Sequence, residues 1–400
     1  MDKPFVIANI QLFLERFAYY AARVGFVLVL FSSVEYGGLG LTTSNRAMFF
    51  DVLAILTVFM PIVMGRLSDA IGPRKAMITA LGLDLLGFVL LCLTPGLSSG
   101  HFVLAMVSCV CLGLGSALFF PTTYGRIVQN LTQKNVSLGL GFALMSINLG
   151  AFFGPLSTDS AIWGKWLSIP LYIAVGVAFL NLLITAFAVK SRAQTEASAT
   201  AAQNEKKSSI LRLLFIFLCI LGLFAFAEIQ FGAHETDLYK ALSDSTYLES
   251  STKLFLLGTL GIVGPLCILP LAWASSKFKR KNALLCGMGA ICFGGLMTGL
   301  GVNIVTSLLG LLLLTFGGFL FSIKWYEYVA MNAPANRKAT YMGFARIPSA
   351  FAYLLGLIPV YEMLTGEYSV AFWGVCLMVG ILSMVIVAIF LKKHPLEDGV

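Results

Sequence analysis

A glutamate and two arginines interrupt an apolar run near the N-terminus: Leu12-Phe13-Leu14-Glu15-Arg16-Phe17-Ala18-Tyr19-Tyr20-Ala21-Ala22-Arg23. On a helix, at about 100° per residue, Glu15, Arg16, Tyr19, Tyr20 and Arg23 share an arc of about 140°. The chemistry these types support is recognition and proton exchange, not bond cleavage. A guanidinium grips a carboxylate with two parallel hydrogen bonds, phenols orient it, and a carboxyl carries a proton. Such groups cost about 2.5–3.5 kcal/mol each at the centre of a membrane helix, so they must face a wet cavity or a partner. Glu15 and Arg16 can also simply neutralise each other, but Arg23 has no acid nearby in sequence. Glu228 stands among Phe224, Phe226 and Phe231. It reads either as a carboxyl that takes and releases a coupling proton or as a hydrogen-bonded structural group. Lys324 and Glu327 are spaced i, i+3 and can pair, as a local structural contact or as a gate. Asp84 reads as a residue that packs or bonds locally, with ion coupling as the alternative.

The elements that must hold these residues follow from composition. Of 400 residues, 58% are hydrophobic and 12% are charged, and the mean hydropathy is +0.89. Soluble domains carry about 25% charge, so the chain is read as a polytopic membrane protein. Twelve apolar segments are predicted, roughly 5–31, 46–65, 76–94, 101–123, 138–156, 168–189, 211–232, 253–275, 283–302, 305–328, 340–363 and 369–391. Between the sixth and seventh lies a polar stretch rich in Ala, Ser and Lys, residues 190–209, which reads as a linker. It separates six spans from six: an N-terminal unit 1–190, a linker 191–210 and a C-terminal unit 211–400, the pattern of a duplicated bundle.

Basic residues orient the spans. Of the 27 Lys and Arg, 19 fall on the predicted side that holds both termini and the linker, four on the other, and four inside spans. Positive charge collects on the cytoplasmic side, which places both termini there and also accounts for the net charge of +8 without nucleic acid as a partner. The lipid bilayer is the partner the composition demands. No cleavable signal peptide is visible, and the short loops favour a prokaryotic inner membrane. The eight cysteines lie in apolar runs without a CxxC pair, and the three histidines lie at span ends or loops, so neither disulfides nor a metal site is expected. Neither a phosphate-binding G-x-x-x-x-G-K-[ST] loop nor an enzyme motif of the H-E-x-x-H or G-x-S-x-G type occurs. The chain is read as neither an enzyme nor a cofactor carrier.

Between spans two and three the chain reads Gly65-Arg-Leu-Ser-Asp69-Ala-Ile-Gly72-Pro-Arg74-Lys75. Gly65 and Gly72 suit close approach and positive φ, and Asp69 suits a helix cap or an ion pair. This resembles the loop signature of the major facilitator superfamily, with Ala70 replacing its basic residue. Span one resembles the E-x-x-E-R-F-x-Y-Y-G-x-R motif of the proton-dependent oligopeptide transporters. Glu15, Arg16, Phe17, Tyr19, Tyr20 and Arg23 match, whereas Leu12 and Ala21 replace a Glu and a Gly. Three further stretches resemble that family: Phe142 to Gly150 with Ile147 and Asn148, Phe226 to Gly232, and Ala333-Pro334 with Met342-Gly343.

The resemblance implies an all-α membrane fold of twelve transmembrane helices in two pseudo-symmetric six-helix bundles around a cavity. It also implies proton-coupled symport of small peptides or related carboxylate-bearing solutes by alternating access, by a monomer. Substrate would meet Arg16, Tyr19, Tyr20, Arg23 and Asn148. Protons would use Glu15 and Glu228, and Asp69 and Arg74 would gate or brace; Lys324 and Glu327 stand where the family is apolar, and their gating or structural role is read from their spacing alone. Three departures matter: Phe120, Gly264 and Gly318 stand where the family has a lysine, an asparagine and an acid. They weigh against its usual proton relay and amine recognition, but spare the anion-binding arginines. A proton-coupled drug or metabolite exporter and a non-transporting receptor on the same fold are the alternatives.

Overall fold

In the computed structural model the described residues are 3–31, 38–96, 101–132, 135–157, 169–189, 264–300, 304–347 and 370–393. Every regular element among them is helical. The helices are α1 (Lys3–Phe31), α2 (Thr43–Ile71), α3 (Pro73–Leu93), α4 (His101–Gln129), α5 (Val136–Leu156) and α6 (Ile169–Ala188). They continue as α7 (Gly264–Ser276), then α8 (Arg280–Leu300), α9 (Ile304–Asn332), α10 (Lys338–Phe344) and α11 (Val370–Lys393). Predicted spans one to six, nine, ten and twelve coincide with α1 to α6, α8, α9 and α11. Span seven with Glu228, the linker, the start of span eight and most of span eleven lie outside the described residues. Among the described residues, five helices are long and apolar enough to cross a membrane: α2 to α6.

Two helices outrun their predicted ends, and polar residues are the reason. α2 continues to Ile71, so Gly65 and Asp69 are helical rather than part of a loop. Its connection to α3 is Gly72 alone, at φ +85°, with Pro73 opening α3. Glycine accepts that dihedral without a steric penalty, and proline at the first helical position gives up no needed N–H. α4 continues to Gln129, which carries Arg126 into the protein interior at 8% exposure. Arg126 lies beyond residue 123, where the predicted fourth span ends, and the basic-residue count places it on the cytoplasmic side; the longer helix buries it instead.

Large apolar side chains face outward as well as inward, and several polar ones are buried. Phe187 is 85% exposed and Val103 66%, whereas Gln11, Asn181, Ser108 and Thr185 are fully buried. In hydrocarbon an outward apolar side chain costs nothing, and an inward polar group must find a partner inside the protein. Ser108 donates to the Gly87 carbonyl at 2.7 Å, joining α4 to α3 in that way.

Packing sorts the chain into two compact units. The first holds α1 to α4, α6, the later part of α5 (from Met145) and residues 333–344 with α10. Its apolar core gathers Ala22, Phe49, Phe88, Leu112, Leu171 and Ala174. Here α3 and α2 pack on α4, α1 and α3 on α6, and α10 on α2 and α4. The second unit holds the start of α5, α7 to α9 and α11, with α8 packed on α9 and α11. Glycines set the closest crossings, since helices in lipid associate through contact of small residues rather than hydrophobic drive. A Cβ on Gly317 of α9 would lie 2.7 Å from the Ile291 nitrogen of α8. A Cβ on Gly150 of α5 would lie 2.6 Å from the Phe13 carbonyl oxygen and 2.8 Å from the Arg16 Cβ.

Helix propensity favours Ala over Gly by about 1 kcal/mol at any helical site. Gly82 has open space around it, so Gly82→Ala is expected to hold or raise the thermal unfolding midpoint. At Gly150 the obstacle is backbone, and overpacking costs about 1–3 kcal/mol. Gly150→Ala is therefore expected to lower the midpoint in a scan of the purified protein.

Candidate functional site

The charged stripe of α1 spans the boundary between interior and surface. Glu15 is 5% exposed, the Arg16 side chain 12%, and Arg23 is exposed. Arg16 grips Glu15 with both ends of its fork. Its Nε donates to Oε2 at 2.5 Å, and its Nη2 donates to Oε1. Nη2 also donates to Ser116 Oγ of α4 at 2.7 Å. The guanidinium carbon lies 4.7 Å from the centre of the Tyr19 ring, a cation–π distance. Tyr20 meets Tyr19 edge to face, with centroids 5.5 Å apart. Asn148 of α5 is half-buried, two residues before the glycine seated against the backbone of Phe13, Arg16 and Phe17. Arg16, Tyr19 and Tyr20 thus form one half-buried group beside the α1–α5 crossing.

One turn earlier on the same face of α1 lies a network that the sequence reading missed. Arg126 Nη1 donates to Gln11 Oε1 at 2.9 Å, and Gln11 Nε2 donates to Thr185 Oγ1 at 2.6 Å. Asn181 Nδ2 donates to the Gln11 carbonyl at 3.0 Å. These bonds tie α1 to α4 and α6. The signal was Gln11, a polar residue four before Glu15. Ser116 was also missed; its signal was a hydroxyl within a run of small residues on α4.

At the end of the unit marked by Gly72, Asp69 caps α10. Its Oδ1 accepts from the Ala339 amide at 3.1 Å, and its Oδ2 from the Thr340 amide at 2.7 Å and the Thr340 hydroxyl at 2.6 Å. A helix start leaves amides unsatisfied, and a carboxylate there satisfies them and meets the positive end of the dipole. The approach needs small residues: a Cβ on Gly65 would stand 2.5 Å from the Ala339 oxygen, and one on Gly125 would stand 3.0 Å from its nitrogen. Arg74 Nη2 donates to the Ala186 carbonyl at 2.9 Å, at the C-terminal end of α6, where cations are favoured.

In the second unit Lys324 and Glu327 do pair. Lys324 Nζ donates to Glu327 Oε2 at 2.8 Å and to Ser137 Oγ at 2.8 Å. Ser137 Oγ donates to the same carboxylate oxygen at 2.6 Å, and Arg280 Nε to Glu327 Oε1 at 2.8 Å. One buried carboxylate, 3% exposed, thereby joins the starts of α5 and α8 to α9.

The family model of the Major Facilitator Superfamily matches residues 12–357, and the chain belongs to that superfamily: it is an integral membrane transport protein. Among curated relatives, "Multidrug resistance protein MdtH" of Cronobacter sakazakii is 24% identical over 298 residues, covering 73% of this chain and 70% of the relative. Among solved structures, the E. coli fucose:proton symporter FucP superposes with TM-score 0.72 at 13% identity, covering 98% of each chain. A peptide transporter of the POT family, solved with sulfate, superposes with TM-score 0.64 at 18% identity over 99% of this chain and 95% of the other. At these identities the structural likeness establishes the fold.

Loss of a helix cap costs about 1 kcal/mol. Asp69→Ala is expected to lower the unfolding midpoint, and Asp69→Asn, which keeps one acceptor, to lower it less. The check is a thermal unfolding series on the purified variants.

Proposed function

We propose that the chain is a proton-coupled transporter of small carboxylate-bearing solutes, small peptides among them, working by alternating access as a monomer. Two six-helix halves, residues 1–190 and 211–400, would rock about the linker 191–210. Both termini would face the cytoplasm of a prokaryotic inner membrane. The observation that carries the reading is the half-buried guanidinium of Arg16, which already holds a carboxylate, that of Glu15, in the bidentate geometry a substrate carboxylate would use. Tyr19 backs the cation. Tyr20 and Asn148 would orient the bound group, and Arg23 would meet it at the exposed end of the stripe.

The coupling logic is exchange of partners. Glu15 and the substrate compete for one guanidinium, and protonation of Glu15 would release Arg16 to the substrate. Glu228 would carry a proton in the other half. Neither acid can shed its proton into hydrocarbon without cost, so the loaded and empty states favour different arrangements of the halves. Asp69 with Arg74, and Lys324 with Glu327, would brace the gate at their ends of the helices. The likeness to MdtH over 73% of the chain favours a second reading, in which the same machinery exports a drug or metabolite.

The pure protein in liposomes under an inward proton gradient is expected to take up a labelled dipeptide or a small carboxylate. A hydrogen bond to a charged group contributes about 1.5–3 kcal/mol, so Arg16→Ala should reduce uptake by about tenfold or more. Glu228→Gln should uncouple uptake from the gradient. Proton-driven efflux of apolar amines without carboxylate uptake would instead establish the exporter. Binding with no flux in either direction would mean a receptor.

A further inference from the structure

Asp84 sits mid-helix in α3 at 5% exposure. Its Oδ2 has no hydrogen-bond partner. Its other oxygen packs against Gly115 of α4, where no side chain would fit. It lines a narrow cleft together with Glu15, Tyr19, Leu81 and Phe88. The cleft has room for about one water molecule.

The charges there do not balance. Arg16 brings one positive charge and spends it on Glu15. Asp84 feels both, being repelled by Glu15 and attracted to Arg16. From α4 the facing groups are Ser116, a neutral hydroxyl, and Cys111. α6 contributes Ala178 to the lining, and α1 adds Tyr19. With both carboxyls ionised the group would hold one net negative charge inside an apolar bundle. An uncompensated buried carboxylate is strongly disfavoured and takes up a proton instead.

We propose that Asp84 is a proton-binding residue, coupled through the shared cleft to the Glu15–Arg16 pair. With a proton on Asp84, one carboxylate fewer draws on Arg16, so the guanidinium more readily exchanges Glu15 for a substrate anion. Without it, two carboxylates compete for the guanidinium, and its hold on the anion weakens. Protonation and anion binding then favour each other, as symport requires. The coupling role rests on the transport reading above; proton binding itself does not.

The test is pH-difference infrared spectroscopy of the purified full-length protein, with Asp84→Asn and Glu15→Gln beside wild type. Sodium and choline chloride are compared at equal ionic strength. A protonated-carboxyl band that responds to pH is expected in the wild type. It should be lost in Asp84→Asn and shifted in midpoint in Glu15→Gln, whose Asp84 is intact. If Asp84→Asn does not fold, the Glu15→Gln midpoint decides. No titrating band, the same band in Asp84→Asn, or an unmoved midpoint in Glu15→Gln would overturn the proposal. Loss of the band on adding sodium at fixed pH would overturn it too, in favour of a cation site. A band that behaves as expected in a protein that moves no carboxylate would overturn the transport reading alone.

Discussion

The bidentate pair between Glu15 and Arg16 is the interaction on which the rest of the first unit depends. A membrane helix cannot present a carboxylate and a guanidinium to lipid without a cost of several kcal/mol. Once α1 carries them, its neighbours are constrained. α4 must bring a hydroxyl, Ser116, to share the guanidinium. α5 must cross with glycine so that its backbone reaches Arg16. The inward face of α1 must continue polar, and Gln11 extends it to Thr185 and Arg126. Breaking one partner of such a buried pair leaves a stranded charge, which is worse than having neither.

Two other carboxylates, one in each unit, obey the same constraint. At Asp69 a carboxylate meets backbone amides of α10 rather than a cation, so the contact draws on the dipole of a helix start and needs no second charged residue. At Glu327 a carboxylate meets Lys324, Arg280 and Ser137 together. The difference has a consequence for switching. The Asp69 contact depends on one short helix keeping its position against Gly65 and Gly125. The Glu327 cluster shares its charge among three elements, so loss of any one donor leaves two.

The helical architecture was legible because hydropathy in a membrane chain is nearly one-dimensional. Runs of apolar residues located the helices described here to within a few residues at most ends. The misses share one cause. Gly65, Asp69 and Arg126 are polar or small, and a hydropathy window ends a span at such residues. The chain keeps them helical because partners sit on neighbouring helices, which no local window sees. The α1 stripe was legible for the opposite reason: its charges are too costly to be accidental. What the helical arc could not reveal was that it runs from buried Glu15 to exposed Arg23, because depth is set by α4 and α5, not by α1. Lys324 and Glu327 were legible as a pair from their spacing, but Ser137 and Arg280 lie far away in sequence. Glu228 lies outside the described residues, so its place rests on sequence alone.

Asp84 illustrates how a buried acid is distinguished from a structural one. A structural carboxylate accounts for its lone pairs, as Asp69 does with three donors and Glu327 with three. Asp84 has neither donors on Oδ2 nor a cation of its own. Packing alone does not call for an acid there, since an apolar residue of similar size in place of a buried charge is often neutral or stabilising. A chain that carries an acid at such a cost, beside a guanidinium that can bind an anion, holds two charges whose balance changes with a single proton. That is the minimal device for linking proton occupancy to anion occupancy, and it needs no relay along the helix because donor and responder share one cleft.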